Sequence, residues 1–394
     1  MPGREQQEEV IALCQALIRR PGVSGREDGV VAELSRFFRE KGFDDIFVDA
    51  YGSVTGIING KRPGPTIVFD GHIDTVPVPD PSAWQHEPYG AERVDGRIYG
   101  RGASDMKGAV AAMACAAAGF AGATKRDFGG RLCVAGVVHE ECFEGVAASL
   151  ISERLKPDYV IIGEASECNL KIGQRGRAEI TVETFGVPAH SANPEKGVNA
   201  VLLMMEAARS FARITPPEHP VLGKGVSVLT DIISTPYPGA SVVPSGCRAT
   251  YDRRLLTGET RESVMAPYAA ILAELERTTP GFRGRAVFAR GRELCHTGSV
   301  IEGERFFPGW LFDEQENFIQ KTLASLRAAG LAPEVTHYSF CTNGSHYAGE
   351  KGIRTLGFGP SRESLAHTID EYVEEEQLLR AHEGYQAICK ALTE

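Results

Sequence analysis

Three short apolar runs constrain this chain more than any other feature: "IVF" (67–69), "LCVAGVV" (132–138) and "YVII" (159–162), each reaching an ionisable side chain within two residues. Runs this short that are apolar at successive positions read as strands covered on both faces. Between the first two lies the Ala-rich stretch "DMKGAVAAMACAAAGFAGA" (105–123), which reads as a helix. Upstream, "EQQEEVIALCQALIRR" has helical apolar spacing and stops at Pro21-Gly22, and "DDIFVDAYGSVTGIING" reads as two strands turning at Tyr51-Gly52. Buried strands alternating with helices predict an α/β fold, with a mixed, mostly parallel sheet flanked by helices.

Near residue 175 the pattern changes. "GRAEITVETFGVPAHSA" (176–192) alternates apolar and polar, as a half-exposed antiparallel strand does. There follow a helix at 197–214, strands around 225–235 and 247–255, a helix at 260–278 and a strand at 284–290. This β-α-β-β-α-β order predicts an α+β sandwich of the ferredoxin-like kind. The α/β pattern returns after about residue 295, with a helix at 316–330 and a strand within "GIRTLGFGP". The expected organisation is one α/β domain in two parts, 1–176 and 295–394, interrupted by an inserted domain at 177–294.

Composition excludes several classes of partner. With 394 residues and a formal net charge of -10, the chain suits neither nucleic acid nor an anionic membrane surface. No apolar run approaches the ~18 residues of a membrane span. The N-terminal "MPGREQQEEV" lacks the apolar core of a signal peptide. The nine cysteines are an odd number, scattered, and without a CxxC, as expected of a reducing compartment; a cytoplasmic location follows.

Ligand sites in sheets of parallel strands lie beyond the C-terminal strand ends. There the chain places His72 and Asp74 after "TIVFD", Asp105 before the Ala-rich helix, His139, Glu140 and Glu141 after "LCVAGVV", and Glu164 after "YVII"; "LAHTIDEYV" adds His367. Taken singly, an Asp here is an ordinary helix cap and a His an ordinary surface residue. As a set, histidines with carboxylates suit zinc, manganese or cobalt rather than calcium or magnesium. The adjacent Glu140 and Glu141 raise a question. On an extended chain neighbours face opposite ways. Two roles answer it: one carboxylate binds metal, and the other takes the proton of a water whose pKa the metal lowers, later passing it to the leaving nitrogen.

These residues carry a family resemblance. "GHIDTVP", "GRGASDMKG", "HEECFEG", "GEAS", "GVPAHSANPEKGVNA" and "FGPSRESLAHTIDEYV" occur in the order found in the M20 metallopeptidases, a group of aminoacylases, deacylases and dipeptidases with a zinc-exopeptidase-like fold, and cover most of the chain. The resemblance implies two divalent metal ions, Zn2+ first, with Mn2+ or Co2+ as alternatives. His72 and Glu164 would hold one, Glu141 and His367 the other, and Asp105 would bridge them. Glu140 would be the general acid/base, and Asp74 would orient His72. The Asp105–Met106 peptide would be cis. His190 would stabilise the oxyanion, and Arg254 would grip a substrate carboxylate. The family also implies a catalytic role for the two-part α/β domain and a lid or dimerisation role for the inserted one, with a homodimer joined through it and acting on a small-molecule substrate.

Three departures fall around the substrate rather than the metals. Ser241 stands where many relatives have Asn, Ser361 where many have Gly, and Asn343 where many have Asp; Asn343 and Ser361 are taken as substrate-binding positions. The "TNG" and "DRRLLTGET" stretches resemble a branch linked to selenium metabolism. The expected activity is hydrolysis of the amide of an N-acyl amino acid or dipeptide. An alternative keeps the metals and changes the bond to a ureido, amidine or aryl-amine one. A third reading, a catalytically silent binding protein, is disfavoured because loss of catalysis relaxes such positions.

Overall fold

The computed structural model describes residues 3–394. The chain forms two compact units: one comprises the chain up to Gln174 with Arg292–Glu302 and Leu311–Glu394, the other Arg175–Gly291 with Gly303–Trp310.

The first unit is built on a mixed sheet flanked by helices. Its strands run in the spatial order Asp45–Val48, Val54–Asn59, Gly129–Val137, Arg62–His72, Tyr159–Ile162, Arg354–Gly357 and Leu170–Gln174, with Val335–Tyr338 beside the last. The central strands Gly129–Val137, Arg62–His72, Tyr159–Ile162 and Arg354–Gly357 are mutually parallel. The two strands preceding them in this order pair antiparallel. Ile67, Val68 and Phe69 are buried on both faces, as their uninterrupted apolar pattern requires. The Ala-rich helix Gly108–Ala123 packs against the C-terminal helix Glu375–Thr393 and lies within the core. Small Ala side chains let its backbone come close to both sheet and helix.

The second unit has a four-strand antiparallel path, Val226–Thr235, Gly246–Leu255, Gly176–Phe185 and Gly284–Phe288, in the spatial order of a ferredoxin-like sandwich. Helices Ala200–Phe211 and Arg261–Thr278 pack on it around Ile180, Val182, Phe211, Tyr251 and Tyr268. The second helix starts at a reciprocal cap: Ser263 N–H donates to Thr260 Oγ1 (3.2 Å), and Thr260 N–H to Ser263 Oγ (2.9 Å). This unit differs from the 177–294 segment read from sequence: it begins at Arg175, leaves 292–294 to the first unit and adds 303–310. The short strand Phe306–Phe307 returns to pair with Gly176–Phe185, which brings 303–310 into it. Two aromatic residues are too short a run to announce a strand.

Candidate metal centre

Three adjacent parallel strands deliver most of the site. Arg62–His72 ends in His72, Gly129–Val137 runs into the turn carrying Glu140 and Glu141, and Tyr159–Ile162 leads to Glu164. Asp105 comes from the irregular turn before the Ala-rich helix, where its peptide with Met106 is cis. His367 comes from the segment ahead of the strand Tyr372–Glu374.

The side chains converge. His72 Nε2 lies 2.7 Å from Asp105 Oδ1 and 3.5 Å from Glu164 Oε1. His367 Nε2 lies 3.1 Å from both Asp105 Oδ2 and Glu141 Oε1. Asp105 thus offers one oxygen to each histidine. Donor atoms of His72, Glu140 and Glu164, and likewise those of His72, Asp105 and Glu141, fall within 4.8 Å of one another.

Hydrogen bonding decides what this set can hold. His72 Nδ1 donates to the main-chain oxygen of Asp74 (2.9 Å), which leaves Nε2 with a lone pair in the neutral ring. That lone pair faces carboxylate oxygens, acceptor against acceptor, so a proton or a cation must stand between them. In addition, the buried Glu140 Oε1 has no hydrogen-bond partner. A divalent cation satisfies both features, and the imidazole–carboxylate donor set suits one. Without cations the crowding shows in the titration of the site. Burial opposes charge on His72, but Asp105 and Glu164 outweigh it and raise its pKa. Burial and the surrounding carboxylates raise Glu140, and burial with Asp105 pushes Glu164 up to about 8. Hydrogen bonds to Asp105 and Glu141 push His367 up to about 10.

Alternation along a strand does not set the directions of the two glutamates. The strand stops at Val137, and His139 takes a left-handed φ of 57°. Residues 139–143 then form a turn in which Phe143 N–H bonds to His139 O (2.9 Å). A tight turn, unlike a strand, aims both carboxylates into one site. Asp74 holds that turn: Oδ1 accepts the N–H of Glu140 (3.0 Å), and Oδ2 accepts that of Glu141 (3.2 Å) and the hydroxyl of Ser24 (2.8 Å). Ser24 was not anticipated from sequence; a serine in "GVSGRE" carries no signal of its own.

The remaining expected positions are engaged with other partners. Asn343 is buried, and its amide is used within the protein: Nδ2 donates to Asp70 (2.9 Å), and Oδ1 accepts Gly145 N–H (2.8 Å). Asp70 also accepts the Tyr347 hydroxyl (2.9 Å), and burial, opposed by these bonds, pushes its pKa up to about 6. Ser361, at φ 67°, has its hydroxyl on that of Ser104 (2.8 Å), next to Asp105. In the second unit His190 is exposed; its Nδ1 accepts Ala192 N–H (3.0 Å), which leaves the proton of the neutral ring on Nε2. Arg254 pairs through Nε with Asp252 (3.2 Å) on its own strand.

A mixed sheet that gathers His, Asp and Glu donors at its parallel strand ends, with a spare buried glutamate beside them, defines a metal-dependent hydrolase. Residues 68–391 match the profile of Peptidase family M20/M25/M40. The chain is 32% identical over 400 residues to the uncharacterized protein YgeY of Escherichia coli (strain K12), covering 98% of this chain and 94% of that one. It is 31% identical over 386 residues to succinyl-diaminopimelate desuccinylase 2 of Ruegeria sp. (strain TM1040), covering 94% and 92%. Its fold is similar to that of the Bacillus subtilis protein YXEP, a dinuclear metal binding peptidase, at a TM-score of 0.70 and 14% identity over 99% of each chain. The chain belongs to the M20/M25/M40 peptidase family. It is a hydrolase that uses divalent metal to cleave amide carbon–nitrogen bonds.

Proposed function

We propose that the chain hydrolyses the amide of an N-acyl amino acid or a dipeptide at a pair of Zn2+ ions. His72 and Glu164 would hold one ion and His367 and Glu141 the other, Asp105 would serve both, and Glu140 would be the base. The observation that carries this reading is the division of Asp105, one oxygen to each histidine, beside a buried Glu140 oxygen with no partner.

The chemistry that divalent ions would supply there is polarisation of the amide carbonyl and a lowered pKa of water, enough for attack near neutral pH. The chain's own groups do the rest. Glu140 takes a proton from the attacking water as its oxygen bonds to the carbonyl carbon. When the carbon–nitrogen bond breaks, Glu140 gives that proton to the leaving nitrogen, so the products are an amine and a carboxylic acid, which then ionises in water. Asp74 fixes the tautomer and direction of His72 through its main-chain oxygen, and holds the Glu140 turn through its carboxylate. His190, with its proton on Nε2, is a suitable donor to the oxyanion, and Arg254 is a suitable fork for a substrate carboxylate.

Replacing Glu140 by Gln tests the assignment. Metal content should stay near that of the wild type, while kcat falls by about 10²–10⁴-fold. Hydrolysis of N-acyl amino acids at the wild-type rate by that variant would remove Glu140 as the base.

The reading extends to the assembly. Val226–Thr235 is an outer strand of its sheet and exposes Val228, Leu229, Ile232 and Ile233, between 40% and 49% accessible. A long apolar edge is a liability unless something covers it. A second copy of the chain at this edge gives a homodimer. All nine cysteines are free, which supports a reducing, cytoplasmic setting.

A further inference from the structure

Glu371 has no exposed surface, and none of its atoms is among the converging donors, yet it grips the turn that carries Asp105. Its main-chain oxygen accepts Gly100 N–H at 2.7 Å. Its Oε1 accepts the N–H of Ser104 (2.9 Å) and of Asp105 itself (3.0 Å). Its Oε2 receives Arg101 Nη1 at 2.6 Å. Arg101 is 4% exposed, and its guanidinium lies 5.2 Å over the ring of Trp84. On either side, Tyr372–Glu374 pairs antiparallel with Arg97–Tyr99, and His367 reaches Asp105 Oδ2. One stretch of chain, 367–374, therefore contributes a metal-ligand histidine and holds the backbone of the aspartate that this histidine meets.

Arg101 alone could neutralise a buried carboxylate. The second oxygen is instead spent on two adjacent backbone donors, which fixes the main chain at Asp105 rather than merely compensating a charge. Asp105 must present one oxygen to each side, so a shift of its backbone alters both distances together. We propose that Glu371, braced by Arg101, is a positioning residue that fixes Asp105 and so sets the spacing of the two cation sites. This rests on the two-cation reading above.

The test is Glu371→Gln in the full-length protein loaded with Co2+. An amide cannot accept at both ends, so either Arg101 or the two backbone N–H groups lose their partner. In a chelator titration the wild type should hold two ions, and the variant should hold its second ion about 10–100-fold more weakly. The visible absorption of bound Co2+ should change, and kcat should fall with KM altered by less than about twofold, as expected when substrate contacts are kept. Should Glu371→Gln not fold, Arg101→Lys, which keeps the charge and loses the planar fork, carries the same readouts. Wild-type affinities and an unchanged Co2+ spectrum in the variant, with only a lower Tm, would overturn the proposal and leave the two-cation reading standing. A wild type that binds fewer than two ions would overturn both.

Discussion

Asp74 shows how much a single carboxylate organises. Its main-chain oxygen orients His72, and its two side-chain oxygens hold Glu140, Glu141 and Ser24. Asp74→Asn keeps the shape but leaves one acceptor where there were two, and turns an N–H toward a backbone N–H. The expected outcome is a fall in kcat of about 10–100-fold, with a loss of about 1–3 kcal/mol in urea unfolding for the stranded donors. Ser24→Ala removes one donor from an oxygen that keeps another partner. It should cost about 1 kcal/mol and leave turnover within a few-fold of wild type. Equal losses in both variants would show that the hydroxyl, rather than the shared turn, dominates.

At the scale of elements, the site depends on how closely strand ends approach one another. A Cβ on Gly359 would lie 2.1 Å from Gly163 O and 2.5 Å from Glu164 O, backbone atoms that cannot turn aside. Gly359→Ala should therefore destabilise by about 1–3 kcal/mol and weaken metal binding through displacement of Glu164, as followed by chelator titration. Asn343 joins the strand holding Asp70 to the turn at Gly145. Asn343→Ala strands both groups, for an expected loss of about 2–4 kcal/mol, with KM little changed; a large rise in KM at wild-type stability would instead mark a substrate contact. These couplings also explain what sequence can disclose. The strand ends were legible because uninterrupted apolar runs stop at ionisable residues, as "IVF" does before Asp70 and His72. The converging donor positions stood out because histidines and carboxylates are conspicuous there. Partners such as Ser24, Arg101 and Glu371 were not legible. They act through backbone N–H groups of residues distant in sequence, and no local spacing encodes that. The direction of Glu140 and Glu141 was hidden too, since it depends on a strand ending at Val137 and a left-handed His139 rather than on alternation.

For the whole molecule, the cations and the proposed second copy are the two additions to test. Four carboxylates, those of Asp105, Glu140, Glu141 and Glu164, crowd against His72 in the first unit. A cation present at about a hundred times its Kd adds about 2.7 kcal/mol to the folded state. Chelation should therefore lower the Tm and abolish hydrolysis, and Zn2+, Mn2+ or Co2+ should restore both to different degrees. In the second unit, Ile232→Lys places a charge on the exposed edge of Val226–Thr235. Light scattering should give the mass of two chains for the wild type and of one for the variant. A wild-type mass of one chain would exclude the edge as a subunit contact. The most direct measurement is anomalous diffraction from crystals of the Zn2+-loaded protein. Two peaks are expected, one between His72 and Glu164 and one between His367 and Glu141, with an Asp105 oxygen on each. A single peak, or peaks away from these side chains, would contradict the two-cation site.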